Sequence, residues 1–160
     1  MLSRTFSVRP GAVLVALAAA CTALPAAAQF RNAEAAIKYR QSVMTVKNNH
    51  LGRIFAMVNG QAPFDAKLAA ENAEIVHMLS GNAQFASFMV EGSDKGNTRA
   101  KPEVWTEKDK WNAAIAKSQD DTTKLLAAAK TGNQDQIKAA AGAVGQSCKA
   151  CHDAYQKPQQ

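Results

Sequence analysis

From residue 32 onward, apolar positions recur along this chain at helical spacing. Ile37, Met44, Leu51 and Val58 follow one another every seven residues, and Val43, His50, Ile54 and Phe55 fill the same stripe. Asn32 stands ahead of the stripe as an N-cap, while Asn59-Gly60 and Pro63 stop it. A second helix is predicted to start near Pro63-Phe64-Asp65, with Leu68, Asn72, Ile75, Val76 and Leu79 on one face, and to end at Ser80-Gly81-Asn82. The stretch from Ala83 to Arg99 is the least regular. Phe85, Phe88, Met89 and Val90 suit a short helical turn on the core better than a strand, because no second strand offers a partner. Glu91 to Thr98, with two glycines and Asn97, reads as a loop.

A third helix begins around Pro102, or at Thr106 with Asp109 three places on as an imperfect capping box. Its predicted inner face is Trp111, Ile115, Ser118, Thr122, Leu125, Leu126 and Ala129, and Thr131-Gly132-Asn133 is the turn that follows. The fourth helix runs from about Gln134 to Gln156, with Ile137, Ala141, Val144, Cys148, Cys151 and Tyr155 in one stripe. Short connections between helices one and two, and between three and four, make antiparallel neighbours. The longer 80–101 segment crosses between the two hairpins. The expected fold is all-α, an antiparallel four-helix bundle. A composition rich in Ala, Lys and Gln and poor in β-branched residues agrees.

The first 28 residues read as an address. Arg4 and Arg9 form a positive start, Gly11 to Leu24 is almost wholly apolar, and Pro25 precedes Ala26-Ala27-Ala28, a small-residue cleavage site. The apolar run is short for a membrane span, which needs about 20 residues. A lipoprotein reading would acylate Cys21, but the residues before it are all alanine and Leu17 sits one place too far back. The expected product is an exported single domain, residues 29–160, with no membrane insertion once the leader is removed. Removing Arg4 and Arg9 from 19 Lys+Arg, against 13 Asp+Glu, leaves a net charge of +4. That charge is spread out, with no basic run or arm. It permits acidic redox partners and makes no case for nucleic acid.

Export also leaves only two cysteines, in Cys148-Lys149-Ala150-Cys151-His152. Two cysteines separated by two residues and followed by histidine form the attachment signature of a c-type haem. On a helix, residues three apart share a face, so both thiols can reach two vinyl groups along one porphyrin edge. His152 then brings an imidazole nitrogen toward the iron. Because the cysteines continue the core-facing stripe, the haem is expected inside the bundle. Two other classes use similar residues. A thiol oxidoreductase would place its pair at a helix N-terminus after a strand, whereas this pair lies late in a helix. A zinc module would need a fourth ligand, for which only His50 or His77 stand by. A peroxidase-like enzyme would want a distal His or Arg, and nothing near Met44 provides one, so no enzyme activity is expected.

These features resemble the cytochrome c′ family, the class II c-type cytochromes. The likeness covers essentially the whole chain after the leader, through Gln29-Phe30, Tyr39-Arg40-Gln41-Ser42, Gly60-Gln61-Ala62-Pro63-Phe64-Asp65 and Cys148 to Tyr155. The C-terminal position of the haem motif is itself specific, since class I cytochromes carry theirs near the N-terminus. The resemblance implies a periplasmic homodimer of a Gram-negative bacterium. It would carry one covalently attached haem c, five-coordinate and high-spin, acting in one-electron transfer and in binding nitric oxide and carbon monoxide. It further implies Cys148 and Cys151 as the thioether attachments and His152 as the proximal ligand. Arg40 would lie near a haem propionate, Gln41 beside the cofactor, and Met44 on the distal face. Members often carry arginine four residues after the histidine. Here that position is Gln156, a neutral amide that can donate a hydrogen bond but supplies no charge, with Lys157 beside it.

Met44 carries three readings that spacing does not separate: core filler, a shield over the sixth position, or a sixth ligand. The last would make the protein a low-spin His/Met carrier resembling cytochrome c556. The resemblance favours the shield. His50 reads as a partly buried or surface histidine, and Trp105 and Trp111 as core and haem-edge packing. Tyr39 and Tyr155 are candidates for packing near the haem.

Overall fold

A computed structural model describes residues 30–158. The leader, 1–28, and its cleavage site lie outside the described residues.

Asn32 caps the first helix as expected. Its backbone is extended and its side chain accepts the amide of Ala35 at 2.8 Å, so α1 runs Ala33–Val58. Gly60, at φ +73, turns the chain after it. Asp65 repeats the device by accepting the amide of Leu68 at 2.9 Å and opening α2, Ala66–Met78. The Ser80 hydroxyl then donates back to the carbonyl of Val76. The irregular segment forms a short helix α3, Asn82–Ala86, and a 3-10 turn over Ser87–Met89. Phe85, Phe88 and Val90 are buried there, while Met89 is exposed.

Helix begins directly after Pro102, one of the two expected starts, but the third long helix is interrupted. The chain forms α4, Glu103–Thr106, breaks at Glu107, and resumes as α5, Lys108–Thr131. No capping box forms at Thr106. That residue is already helical, and its hydroxyl donates to its own preceding turn at Pro102 O instead of to a later amide. Gly132, at φ +69, closes α5, and Asn133 caps α6, Gln134–Tyr155, by accepting the amide of Gln136.

The four long helices form a ring in which α1 neighbours α2 and α6, and α5 neighbours α2 and α6. Gly132 at the end of α5 sits beside Ala66 at the start of α2, which fixes those two as antiparallel. This is a four-helix bundle of alternating direction. Its main core joins Leu51, Ile54, Met57 and Val58 of α1 to Ala69, Ala73 and Val76 of α2. Leu125 and Ala129 of α5 and Ile137, Ala141 and Val144 of α6 complete it. Leu68, expected inside, is instead exposed. Ala69 and Ala73 face the core, and their small side chains let α2 approach its neighbours closely. Gly145 does the same for α6, where an added Cβ would lie 3.3 Å from the Phe55 ring.

A second cluster, Phe85, Phe88, Val104, Trp111 and Tyr155, packs at the other end. Trp111 is its hub, with Phe88 and Tyr155 edge-on at 5.0 Å each. Cys148 packs against the first cluster and Cys151 against the second. The haem motif therefore lies at the seam between them.

Candidate cofactor site

Between the two clusters the bundle opens into two adjoining compartments of about 350 and 730 Å³. Both fall within the ~300–1,000 Å³ usual for ligand sites. Met44, Thr45, Phe85, Arg99, Cys151, His152 and Gln156 line both, and Cys148 lines the larger. The side-chain stripe of α6 thus delivers both thiols and the following imidazole to one hollow, with Met44 of α1 on a wall of the same space.

Both cysteines are free thiols, half-buried. Burial pushes each thiol above its ordinary value, and the positive charge of Lys47 only partly opposes that. A raised thiol argues against a thiol oxidoreductase, which needs a lowered one. Burial, then the charges of Lys47 and Arg99, hold His152 below the usual histidine value, which favours the neutral ring whose lone pair a metal requires. Among the described residues no three His, Cys, Asp or Glu side chains converge as a metal site of their own. His50 and His77 do not line the hollow. Neither histidine therefore supplies the zinc reading with a fourth ligand.

Arg40 lines the smaller compartment and is buried. Its Nη1 donates to the carbonyl of Ser87 at 3.4 Å, and its Nη2 donates to the carbonyl of Ser93 and to Thr98 Oγ1 at 2.9 Å. The guanidinium also lies over the Phe88 ring. Gln41 sits at the rim, where Nε2 donates to the carbonyl of Asn97 at 2.9 Å. Tyr155 and Trp111 line the smaller compartment, but Tyr39 does not. Tyr39 is exposed and packs on Phe30 with ring centroids 5.2 Å apart. Trp105 anchors through its indole N–H, which donates to Phe88 O at 2.7 Å.

Three residues of the site escaped the sequence reading. Lys47 is buried and lines the larger compartment, and Gln84 is buried between Lys47 and Met44. Arg99 lines both compartments, held by two donations to Lys157 O, where the 99–101 backbone pairs with 155–157 beside Gln156. Lys47 had a signal, a lysine three places from Met44 on a buried helical face. Gln84 and Arg99 come from irregular segments with no period to read.

The hollow fits a haem on its own chemistry. Two thiols one helical turn apart are followed directly by an imidazole, and aromatic and aliphatic side chains supply apolar walls. On the lining of the smaller compartment, Arg40 and Arg99 meet no carboxylate, and among the described residues Arg40 has no acidic partner. A buried cation without an acid is costly. A flat apolar ligand with carboxylates at one edge answers both features.

Comparison with known proteins gives a consistent picture. The family model described as cytochrome C′ matches residues 35–156. A cytochrome c′ of Rubrivivax gelatinosus is 48% identical over 130 residues, spanning 81% of this chain and 99% of the relative. A crystal structure of the cytochrome c′ of that organism superposes with a TM-score of 0.76 and 48% identity, covering 81% of this chain and all of the other. From Alcaligenes xylosoxidans, the nitric oxide complex of a point variant of cytochrome c prime superposes at 0.75 with 42% identity, covering 81% and 99% of the two chains. A carbon monoxide-bound variant from the same organism superposes at 0.75 with 43% identity over the same shares.

Proposed function

The chain belongs to the cytochrome c′ family, and from that premise we propose that it is a periplasmic haem protein of one-electron transfer and reversible nitric oxide and carbon monoxide binding. Cytochromes c′ carry a covalently bound haem c. In this chain Cys148 and Cys151 would hold it through thioethers, and His152 would ligate the iron. The observation that carries the reading is the arrival of both thiols and the imidazole in one hollow, one helical turn apart, with Met44 on a shared wall.

When bound, the haem would supply a one-electron couple and an iron able to take a small diatomic. The rest falls to side chains. Phe85, Phe88, Val104 and Trp111 exclude water from the apolar faces. Arg40 and Arg99 supply positive charge for the propionates, with Gln41 at the rim. Met44, half-buried, would act as a lid that disfavours bulky or charged ligands and yields to small neutral ones. Such a role is that of a carrier and not a catalyst.

The domain would be residues 29–160, freed from the leader 1–28 by export. Support comes from the leader's composition and from the span of the Rubrivivax gelatinosus relative, nearly all of which is matched by 130 residues here. A homodimer through the outer face of α1 is part of the same proposal. Tyr39 and Val46, seven apart on that helix, are 38% and 43% exposed, which supports it.

Mass spectrometry of the denatured protein tests the attachment. The expected result is a mass increase of one haem that survives denaturation, is lost in Cys148→Ala/Cys151→Ala, and persists in His152→Ala with an altered spectrum. A colourless protein of unmodified mass overturns the proposal.

A further inference from the structure

Met44 places a thioether, a soft metal donor, in the same hollow as His152. Its sulfur is already engaged. Gln84 Nε2 lies 3.1 Å from Met44 Sδ, and Gln84 is 2% exposed. On its other side, Lys47 Nζ lies 3.3 Å from Gln84 Oε1. An ammonium has only protons to offer, so the amide oxygen must face Lys47 and the NH₂ must face the sulfur. The orientation of the amide is thereby set by its neighbours. Lys47 is itself buried, at 7% exposure, and sits about one turn beyond Met44 on α1. The chain Lys47–Gln84–Met44 therefore leaves α1, crosses to α3 and returns to α1. The lysine charge at the oxygen end polarises the amide and strengthens its N–H as a donor.

We propose that Gln84 holds the Met44 sulfur as a hydrogen-bond acceptor and so withholds it from the iron, making Gln84 the residue that selects the lid role of Met44 over the ligand role. The inference rests on the reading of the hollow as a haem site. Gln84 acts through Met44 and is a positioning residue. With the amide in place, the thioether is pinned toward α3 and one lone pair is committed. Without it, nothing in the described contacts of Met44 restrains the sulfur from turning into the hollow.

The test is the ferric spin state of the holoprotein, by optical absorption and electron paramagnetic resonance, with covalent haem confirmed by mass. Gln84→Leu removes the donor at similar volume. Gln84→Glu keeps the partner of Lys47, but its carboxylate has no N–H for sulfur. The expected result is a high-spin parent and a rise of about tenfold or more in the low-spin to high-spin ratio in both variants, the effect of losing one hydrogen bond of ordinary strength. Adding Met44→Leu to Gln84→Leu should restore the high-spin form, which a merely structural role for Gln84 does not predict. High-spin Gln84→Leu and Gln84→Glu proteins would overturn the inference while leaving the five-coordinate reading intact. A low-spin parent would overturn both. Low-spin iron persisting in the double variant would mean the new ligand is not Met44, which also overturns it.

Discussion

The guanidinium carbon of Arg40 lies 4.5 Å from the centroid of the Phe88 ring, and the two residues join α1 to the crossing segment under the hollow. Cation–π contact adds to three donations, to the Ser87 and Ser93 carbonyls and to the Thr98 hydroxyl. Arg40→Leu should cost about 2–4 kcal/mol, since it strands buried carbonyls. Arg40→Lys should recover only part, because an ammonium lacks the planar fork. Urea unfolding reads both. A loss below about 0.5 kcal/mol in Arg40→Leu would show that the segment is held by its apolar contacts alone.

His50 and Asn72 form the polar tie between α1 and α2. Asn72 Nδ2 donates to Leu68 O at 2.6 Å, which turns Oδ1 toward His50 Nδ1 at 2.8 Å. An oxygen acceptor requires that Nδ1 carry the proton. Nitrogen NMR of the neutral imidazole should report the Nδ1–H tautomer, and Asn72→Leu should release that preference at a cost of about 1–2 kcal/mol. A predominant Nε2–H form in the parent protein would contradict the arrangement.

Lys47 gives a prediction about pH. Burial lowers it below the ordinary lysine value of 10.5, against smaller opposing effects of Cys148 and Cys151. The folded protein therefore releases this proton at lower pH than the unfolded chain does. Between the two values the unfolded chain binds more protons, so stability rises with pH through that alkaline window. Below it, the full cost of the buried charge is present. Lys47→Met should accordingly stabilise the protein at pH 7 by about 1 kcal/mol, with the advantage shrinking as pH approaches 10.5. Denaturation midpoints of the pair across pH 7 to 10.5 check this; an advantage that grows with pH has the wrong sign.

Two glycines of α6 should respond differently to alanine. At Gly142 an added Cβ meets nothing within 4 Å, whereas at Gly145 it lies 3.3 Å from Phe55 Cζ. Gly142→Ala should gain about 0.5–1 kcal/mol from helix propensity. Gly145→Ala should forfeit that gain, because the Phe55 ring at the contact of α1 with α6 must move. Thermal unfolding separates them, and equal shifts would show that Phe55 yields freely.

What could be read from the sequence follows from range. Asn32, Asp65 and Asn133 cap their helices through contacts three residues away, and the apolar repeat of α1 and α6 spans many turns, so local pattern suffices for the bundle and its boundaries. The same holds for Cys148, Cys151 and His152, which one helix presents together. Leu68 lies outside while Ala69 and Ala73 face the core, because side-chain size in a pattern does not show where helices approach closely. Thr106 does not cap, and a capping pattern does not show whether its first residue is already helical. Arg99 reaches the hollow, and Gln84 reaches the side chains that line it, from segments without a period, and their partners Met44, Lys47 and Lys157 are about 37 to 58 positions away. The partners of Arg40, equally distant, were unreadable for the same reason.

The central proposal is that His152 would ligate the iron while Met44 serves as a lid and not as a ligand, and the most direct measurement is the ferric and ferrous spin state of the purified native protein. The account predicts high-spin, five-coordinate iron in optical absorption and electron paramagnetic resonance, with carbon monoxide binding on reduction. Low-spin iron with a methionine signature in both oxidation states would contradict it and make the protein a His/Met electron carrier.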